Sequence, residues 1–371
     1  MYIIALPKET NQLVFYDYIT FKEIFFMQLP EKFANSFELE AFLAQPSEGL
    51  IDFMRQLDGD IMILGVAGKM GVTMAKLAAN AIKAAGVDKT VYGVARFSDA
   101  AAREKLETSG VKTIACDLMD QEQLKALPQV KNIIFMAGRK FGTQGCEDLT
   151  WAMNVLAPAY VADNFKNSRI TAFSTGCVYP LVSAEEGGCT EDVRPEPVGE
   201  YSQSCLGRER IFEYAQRKHQ NPMLFFRLNY AIDLRYGVLH DIAMPIWNGE
   251  KVNNAVSHFN AIWQGSANEI ALRSLGLTAN PVTLLNVTGP ETVSTEEVAE
   301  EFGRLFGKKV EYMYPVAGKK GYLNNASKML DIFGKPAVTM QQMIKWQAEW
   351  IMSGGETLNK PTHFEVNNGK F

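Results

Sequence analysis

An α/β protein organised around a doubly wound, parallel sheet is predicted by three features of this sequence. Short, nearly continuous apolar runs recur from Asp60 to about residue 230; stretches rich in Ala, Leu and Lys separate them; and the first run leads into a glycine-rich turn, GVAGKMG, at Gly65 to Gly71. Apolar runs without alternation are what strands buried on both faces look like, and separators long enough for helices make them successive βαβ units. The 371 residues are 47% hydrophobic and 21% charged, so a large core can form. Single cores stop growing at roughly 250–300 residues, which adds a smaller lobe to the expectation.

Residues 1–58 read as an aromatic-rich N-terminal extension, with helices expected over FELEAFLAQ and GLIDFMRQL and no motif. A structural lid or an extra flank on the main domain is the expected role. The runs DIMILGV, KTVYGVAR, VKTIACD, VKNIIFMAG, SRITAFST and PMLFFRLN supply the strands of a domain spanning 59–230. The pattern then loosens, through LRYGVLHDIAMPIWNGEKV and TANPVTLLNVTGPETVS, into a lobe over 231–371. Within it LLNVTG reads as a strand returning to the sheet near 283–288, and STEEVAEEFGRLFG as a helix opened by a capping box from Ser294 to Glu297.

Composition narrows the partners. The net charge of −5 comes from 37 basic and 42 acidic residues without a Lys/Arg block that could track a phosphate backbone, so nucleic acid is not expected. The start of the chain lacks the pattern of a secretory signal, and no apolar run approaches the roughly 20 residues that span a bilayer. A cytoplasmic protein without a membrane partner is the expectation. Five cysteines with no CxxC pair and four histidines argue against a disulfide framework and a zinc site, and no metal is expected.

The spacing GxxGxxG is weak by itself and fits an ordinary glycine-rich turn. Its place, after the first strand and at the head of a helix, favours a nucleotide loop. Gly65 would allow the tight turn, Gly68 the approach of backbone to a pyrophosphate, and Gly71 the close packing of helix on strand; Lys69 and Met70 complete the loop. The second strand should end beside the adenosine ribose, and there Arg96 stands where an acidic residue would accept from a 2′-hydroxyl. A guanidinium suits a 2′-phosphate, so NADP is favoured over NAD, with Lys69 adding to that preference. The alternative leaves Lys69 solvated and lays Arg96 over the adenine. Asp117, with Leu118 beside it, can meet the adenine amino group or cap the MDQEQL segment as a helix.

In their order and spacing, GVAGKMG, CDL, FMAGRKFG, NVLAPAYV, FSTGCVYP, Tyr201, FRLNYAI and NNASKMLDIFGKPAVTMQQMIKW resemble the extended short-chain dehydrogenase/reductase superfamily, in its NAD-dependent, nucleotide-sugar epimerase/dehydratase branch. The resemblance covers most of residues 60–350. It implies a Rossmann domain carrying NAD(P), a C-terminal lobe that holds the substrate, and a homodimer formed through helices at 148–166 and 201–218. It also implies that Thr175, helped by Ser174, hydrogen-bonds the reacting oxygen and that Tyr201 is the general acid/base. Asn154 would shape the active site, Ala137 and Gly138 would pass the cofactor, and Arg227 and Asn229 would introduce the substrate loop.

One departure bears on the chemistry. A phenol with an ordinary pKa of about 10 needs a neighbouring cation to work as a base near neutrality, and the family's lysine four residues after the tyrosine is here Cys205. Three readings stay open: an active enzyme whose Tyr201 is assisted from elsewhere, with Arg208 two turns along the same helix; an enzyme in which Tyr201 only donates a hydrogen bond; or a silent cofactor-binding protein. Cys205 reads as a reactive thiolate or as a small filler of a helix face, and Cys177 is similarly ambiguous. The substrate segment departs too. AIDLRYGVL lacks the family's Gly-Pro and brings Asp233, Arg235 and Tyr236 toward the cleft, while Gly265 and Ser266 replace an acidic position. Arg235 would pair with a substrate carboxylate or phosphate, or form a salt bridge to Asp233 or Asp241. His240 and His258 could move a proton or be structural. The expected function is NAD(P)-dependent epimerisation, dehydration or dehydrogenation of a sugar, nucleotide-sugar or sugar-acid small molecule; the alternative is a catalytically silent NAD(P)-binding sensor or scaffold.

Overall fold

The computed structural model describes residues 29–140, 142, 145–360, 362–366, 368 and 369; the first 28 residues of the extension lie outside them. Two helices come first, α1 (Ser36–Leu43) and α2 (Glu48–Gln56). The wound part then runs β1 (Ile61–Leu64), α3 (Gly71–Ala85), β2 (Val91–Ala95), α4 (Ala100–Glu107), β3 (Lys112–Ala115), α5 (Gln121–Lys125), β4 (Asn132–Phe135), α6 (Glu147–Trp151), α7 (Ala157–Asn164), β5 (Arg169–Thr175), α8 (Gly199–His219) and β6 (Met223–Leu228). Beyond it follow β7 (Ala231–Ile232), α9 (Val238–Asn248), β8 (His258–Phe259), β9 (Ile262–Trp263), α10 (Gln264–Arg273), β10 (Thr283–Val287), β11 (Val293–Ser294), α11 (Thr295–Phe306), α12 (Ser327–Phe333) and α13 (Met340–Met352). Each of the six apolar runs forms a strand, and LLNVTG forms most of β10 and its exit.

Seven of these strands make one sheet in the order β10-β6-β5-β4-β1-β2-β3, parallel at every pairing. Its alternate residues feed two separate cores. Ile61, Ile63, Ile134, Leu224 and Phe226 face α2, α3 and α10, whereas Met62, Leu64, Ile133, Phe135 and Phe225 face Leu124, Val161, Phe165 and Phe212. Burial on both faces explains why β1, β4, β5 and β6 read as unbroken apolar runs, whereas β3, at the sheet edge, is only partly covered.

A third core holds the lobe together, with Ile232, Leu239, Ile242, Trp263, Phe302 and Trp346 at its centre. Of the described helices before the sheet, α2 flanks the sheet domain, as one of the two expected roles has it, and α1 joins the lobe. Phe33, Leu39 and Leu43 enter the lobe core, while Leu50, Met54 and Leu57 enter the sheet core. Ser294 caps α11 by accepting from the Glu297 amide at 3.3 Å. Asp120, not Asp117, caps α5; Asp117 accepts from the Met119 amide.

Candidate functional site

Chain order reverses between β1 and β4, which are neighbours in the sheet, and such a switch point opens a crevice at the carboxyl ends of the strands. A cavity of about 360 Å³ lies there, bordered by Gly68, Lys69 and Met70 after β1, Gly138 to Lys140 after β4, Ser174, Thr175 and Cys177 at the end of β5, Tyr201 and Arg208 on α8, and Asn229 after β6. The lobe closes it with Tyr230, Tyr236, Gln264 and Thr362.

The glycine loop is built for close approach. Gly65 has φ +91°, and a Cβ there would lie 2.7 Å from the Ala137 backbone; a Cβ on Gly71 would lie 2.3 Å from the Val66 carbonyl oxygen. Any side chain would therefore push β1, β4 and α3 apart. No side chain caps the start of α3; its first amide, Gly71 N–H, donates to the Gly68 carbonyl at 3.1 Å, and the residues just before the helix, Gly68 to Met70, border the cavity. Among the described residues, Arg139 Nε is buried with no hydrogen-bond partner. A tight backbone cradle, an uncapped helix start and a buried guanidinium N–H together fit a dinucleotide diphosphate.

On the catalytic side, Thr175 Oγ1 accepts from the Cys177 amide at 3.1 Å and keeps its own proton available to a ligand. Ser174 is committed instead to Glu209, at 2.5 Å. Asn154 does not line the cavity. It sits on a π-helical turn, Ala152–Leu156, between α6 and α7, and its amide clasps the Arg139 backbone: Arg139 N–H donates to Oδ1 at 2.8 Å and Nδ2 donates to the Arg139 carbonyl at 2.9 Å. A π turn of this kind re-aims one side chain within a helix. Arg208 spans β5 and that turn, donating to the Phe173 carbonyl and to Asn154 Oδ1, both at 2.8 Å. Burial pushes the Tyr201 phenol well above its ordinary range, with the neighbouring Cys205 and Cys177 acting in the same direction and Arg208 against it.

Several other expected site residues lie off the cavity wall. Cys205 is off the cavity wall, buried among Val178, Tyr179, Cys189 and Leu206 and packed against Tyr201, and burial raises its thiol pKa, which works against a thiolate there. Arg227 points into the protein: Nε and Nη2 pair with Glu209 at 2.9 and 2.7 Å, and Nη1 donates to the Tyr179 hydroxyl at 2.7 Å. Arg235 is held by Asp233 through Nε and Nη2 at 3.0 and 2.7 Å and by Glu40 through Nη1 at 2.9 Å. All the donor nitrogens of both guanidiniums are thereby engaged away from any ligand. Asn229 lines the cavity but uses its amide to hold Asn260 and the Tyr322 carbonyl.

Tyr236 is on the wall, with Lys69 Nζ 3.4 Å from its ring centroid. Arg96, Asp117 and Leu118 lie at the ends of β2 and β3, away from that wall, and Arg96 is exposed. His240 is 3.9 Å from Asp241 and His258 bonds Ser257, neither on the cavity.

Sequence reasoning missed Lys140 and Thr362. Lys140 stands two residues after Gly138 in a motif already quoted, so its place on the wall was open to inference. Thr362 carried no signal. It arrives because the chain beyond α13 turns back over the cleft, where the Thr362 amide and hydroxyl donate to Asp241 Oδ2 at 2.7 and 2.5 Å and its carbonyl accepts from Lys140 Nζ at 3.0 Å. Among the described residues no group of three or more His, Cys, Asp or Glu could hold a metal ion, and no helix is long and apolar enough to cross a membrane.

No protein-family model matches the chain, and no curated protein matches it by sequence. Solved structures do match it in shape. UDP-glucuronic acid 4-epimerase from Bacillus cereus, solved with NAD, is 16% identical, with a TM-score of 0.64 over 79% of this chain and 98% of its own. dTDP-glucose 4,6-dehydratase from Bacillus anthracis, also with NAD, is 17% identical, with a TM-score of 0.66 over 79% and 96%. Thermus thermophilus UDP-glucose 4-epimerase, again with NAD, gives 18%, 0.62, 78% and 98%. The chain therefore has the fold of these epimerases and dehydratases, the Rossmann arrangement that its motifs resemble.

Proposed function

We propose that the protein is an NAD(P)-dependent enzyme that epimerises, dehydrates or oxidises a sugar derivative. The observation that carries this reading is the convergence of the glycine loop, Gly138, Thr175 and Tyr201 on one cavity. Gly65, Gly68, Lys69, Met70 and Gly71 would hold the diphosphate of the dinucleotide, Asp117 and Leu118 its adenine, and Ala137 and Gly138 its nicotinamide half. When bound, that group supplies a hydride acceptor or donor.

The chain itself supplies the proton chemistry. Thr175 hydrogen-bonds the reacting oxygen, and Tyr201 Oη takes the hydroxyl proton as the carbinol is oxidised and returns it as the carbonyl is reduced. Asn154 and Arg208 hold the β4 and β5 exits in register beneath the reacting groups. The solved relatives support NAD, while Arg96 at the end of β2 suits NADP. The relatives' UDP- and dTDP-sugars make a nucleotide sugar the first substrate class to try, ahead of free sugars and sugar acids. We also propose a homodimer through α6, α7 and α8.

The test has two stages. Nucleotide released by denaturing freshly purified protein is identified by mass, and hydride exchange is then followed against nucleotide sugars, sugars and sugar acids. Tyr201→Phe should cut turnover by about 100-fold or more with dinucleotide affinity changed only a few-fold. Tight dinucleotide binding with no hydride exchange toward any of these substrates would mean a sensor instead.

A further inference from the structure

A phenol that gives up its proton in a secluded cleft needs a cation within a few ångströms. Cys205, one turn along α8 from Tyr201, is a buried thiol, and the donors of Arg208 go to Phe173 and Asn154. Lys140 is placed differently. It leaves the end of β4, lines the same cavity as Tyr201, and brings Nζ to 5.9 Å from the Tyr201 ring centroid. Its far end is fixed from the opposite wall, because the Thr362 carbonyl that accepts from it is itself anchored by Asp241.

We propose that Lys140 is the positioning cation for Tyr201, delivering from the β4 exit the charge that a lysine at position 205 would deliver from α8. The proton of the substrate hydroxyl passes to Tyr201 Oη. The Lys140 ammonium keeps its protons throughout and stabilises the phenolate from which the cycle starts. The inference rests on the reading of Tyr201 as the acid/base.

The groups facing this pair come from every element around it: Lys69 from the glycine loop, Arg139 from the β4 exit, Cys177 from the β5 exit, Cys205 and Arg208 from α8, Tyr230 and Tyr236 from the chain after β6, Asp241 from α9, Tyr322 before α12 and Glu365 from the returning tail. Burial pushes Lys140 down, opposed by Cys177, Cys205, Asp241 and Glu365, and pushes Tyr201 up, opposed by Arg208. A diphosphate bound beside Lys69 adds negative charge to this surrounding and favours the ammonium form of Lys140.

Difluorotyrosine placed at position 201 reports its own ionisation by fluorine NMR. Its titration should be followed in wild-type protein and in Lys140→Met and Lys140→Arg, with NAD+ or NADP+ and without. Lys140→Met should raise the midpoint by about one pH unit or more in the dinucleotide complex, and Lys140→Arg should return it toward the wild-type value. Dinucleotide binding with a midpoint that Lys140→Met leaves in place overturns this inference alone. Failure of wild-type protein to bind either dinucleotide overturns the functional reading beneath it, and the nucleotide-free titration then still decides whether the two side chains are coupled.

Discussion

Lys69 Nζ stands over the Tyr236 ring at the cavity rim. Burial, reinforced by the Lys140 and Lys360 cations, pushes its ammonium down to about 7, with Asp241 opposing. A dinucleotide diphosphate at the start of α3 would bring negative charge to this group and raise its pKa, so binding takes up a proton. Below pH 7 Lys69 is already charged and affinity is flat, whereas between about 7 and the raised value affinity falls by about tenfold per pH unit. Calorimetry of NAD+ or NADP+ in two buffers of different ionisation enthalpy measures the proton directly. Lys69→Met should abolish the uptake and flatten the profile. An affinity for wild-type protein that stays constant from pH 7 to about pH 9 would remove Lys69 from the cofactor site.

Helix α1 is tied to three other parts of the fold through one carboxylate. Glu40 accepts from Arg235 and Lys105, both at 2.9 Å, and from Lys76 on α3 at 3.4 Å. Burial works against its ionisation, but the hydrogen bonds from Lys105 and Arg235 outweigh it and hold the carboxyl at about 2, against an ordinary 4.5. A depressed carboxylate contributes stability above its unfolded pKa and loses it as pH falls through the folded one, so this contribution drains away between about 4.5 and about 2. Glu40→Gln should cost about 2 kcal/mol at neutral pH and flatten that part of the acid limb in denaturant melts. An unchanged acid limb would mean that α1 is held by Leu39 and Leu43 alone. The strands were legible because a run buried on both faces has only one pattern, and α1 and α2 because their apolar faces recur at helical spacing. The tie between Glu40 and Arg235 was not, since the partners are 195 residues apart in the chain. The Arg227–Glu209 pair is hidden in the same way, whereas the Arg235–Asp233 salt bridge, between neighbours in the chain, is one of the two fates the sequence leaves open for Arg235 and is the one that forms.

At the scale of the whole chain, the cleft lies between a sheet domain and a lobe that are joined by residues of α1, α2 and the returning tail. The half of the site formed by local motifs, the glycine loop and Thr175 with Tyr201, could be read from spacing. Lys140 was within reach too, two residues after Gly138, but its contact with Thr362 was not, because 222 residues separate the two in the chain. Leu149 (43% exposed), Trp151 (38%), Leu156 (41%) and Tyr214 (60%) are large apolar side chains on α6, the π turn and α8 that the chain leaves open to solvent. Exposed large apolar groups on helical segments that pack against one another point to an interaction surface, and a two-fold dimer places such a surface against its own copy. Light scattering after size exclusion should give twice the 41.3 kDa chain mass. Leu156→Glu with Tyr214→Glu would then bury like charges against each other across the two-fold axis and should return the protein to single chains at micromolar concentration, with dinucleotide binding retained because neither residue touches the cavity. A wild-type protein that elutes as one chain sinks the dimer, and a double variant that dimerises as well as wild type moves the interface off these helices.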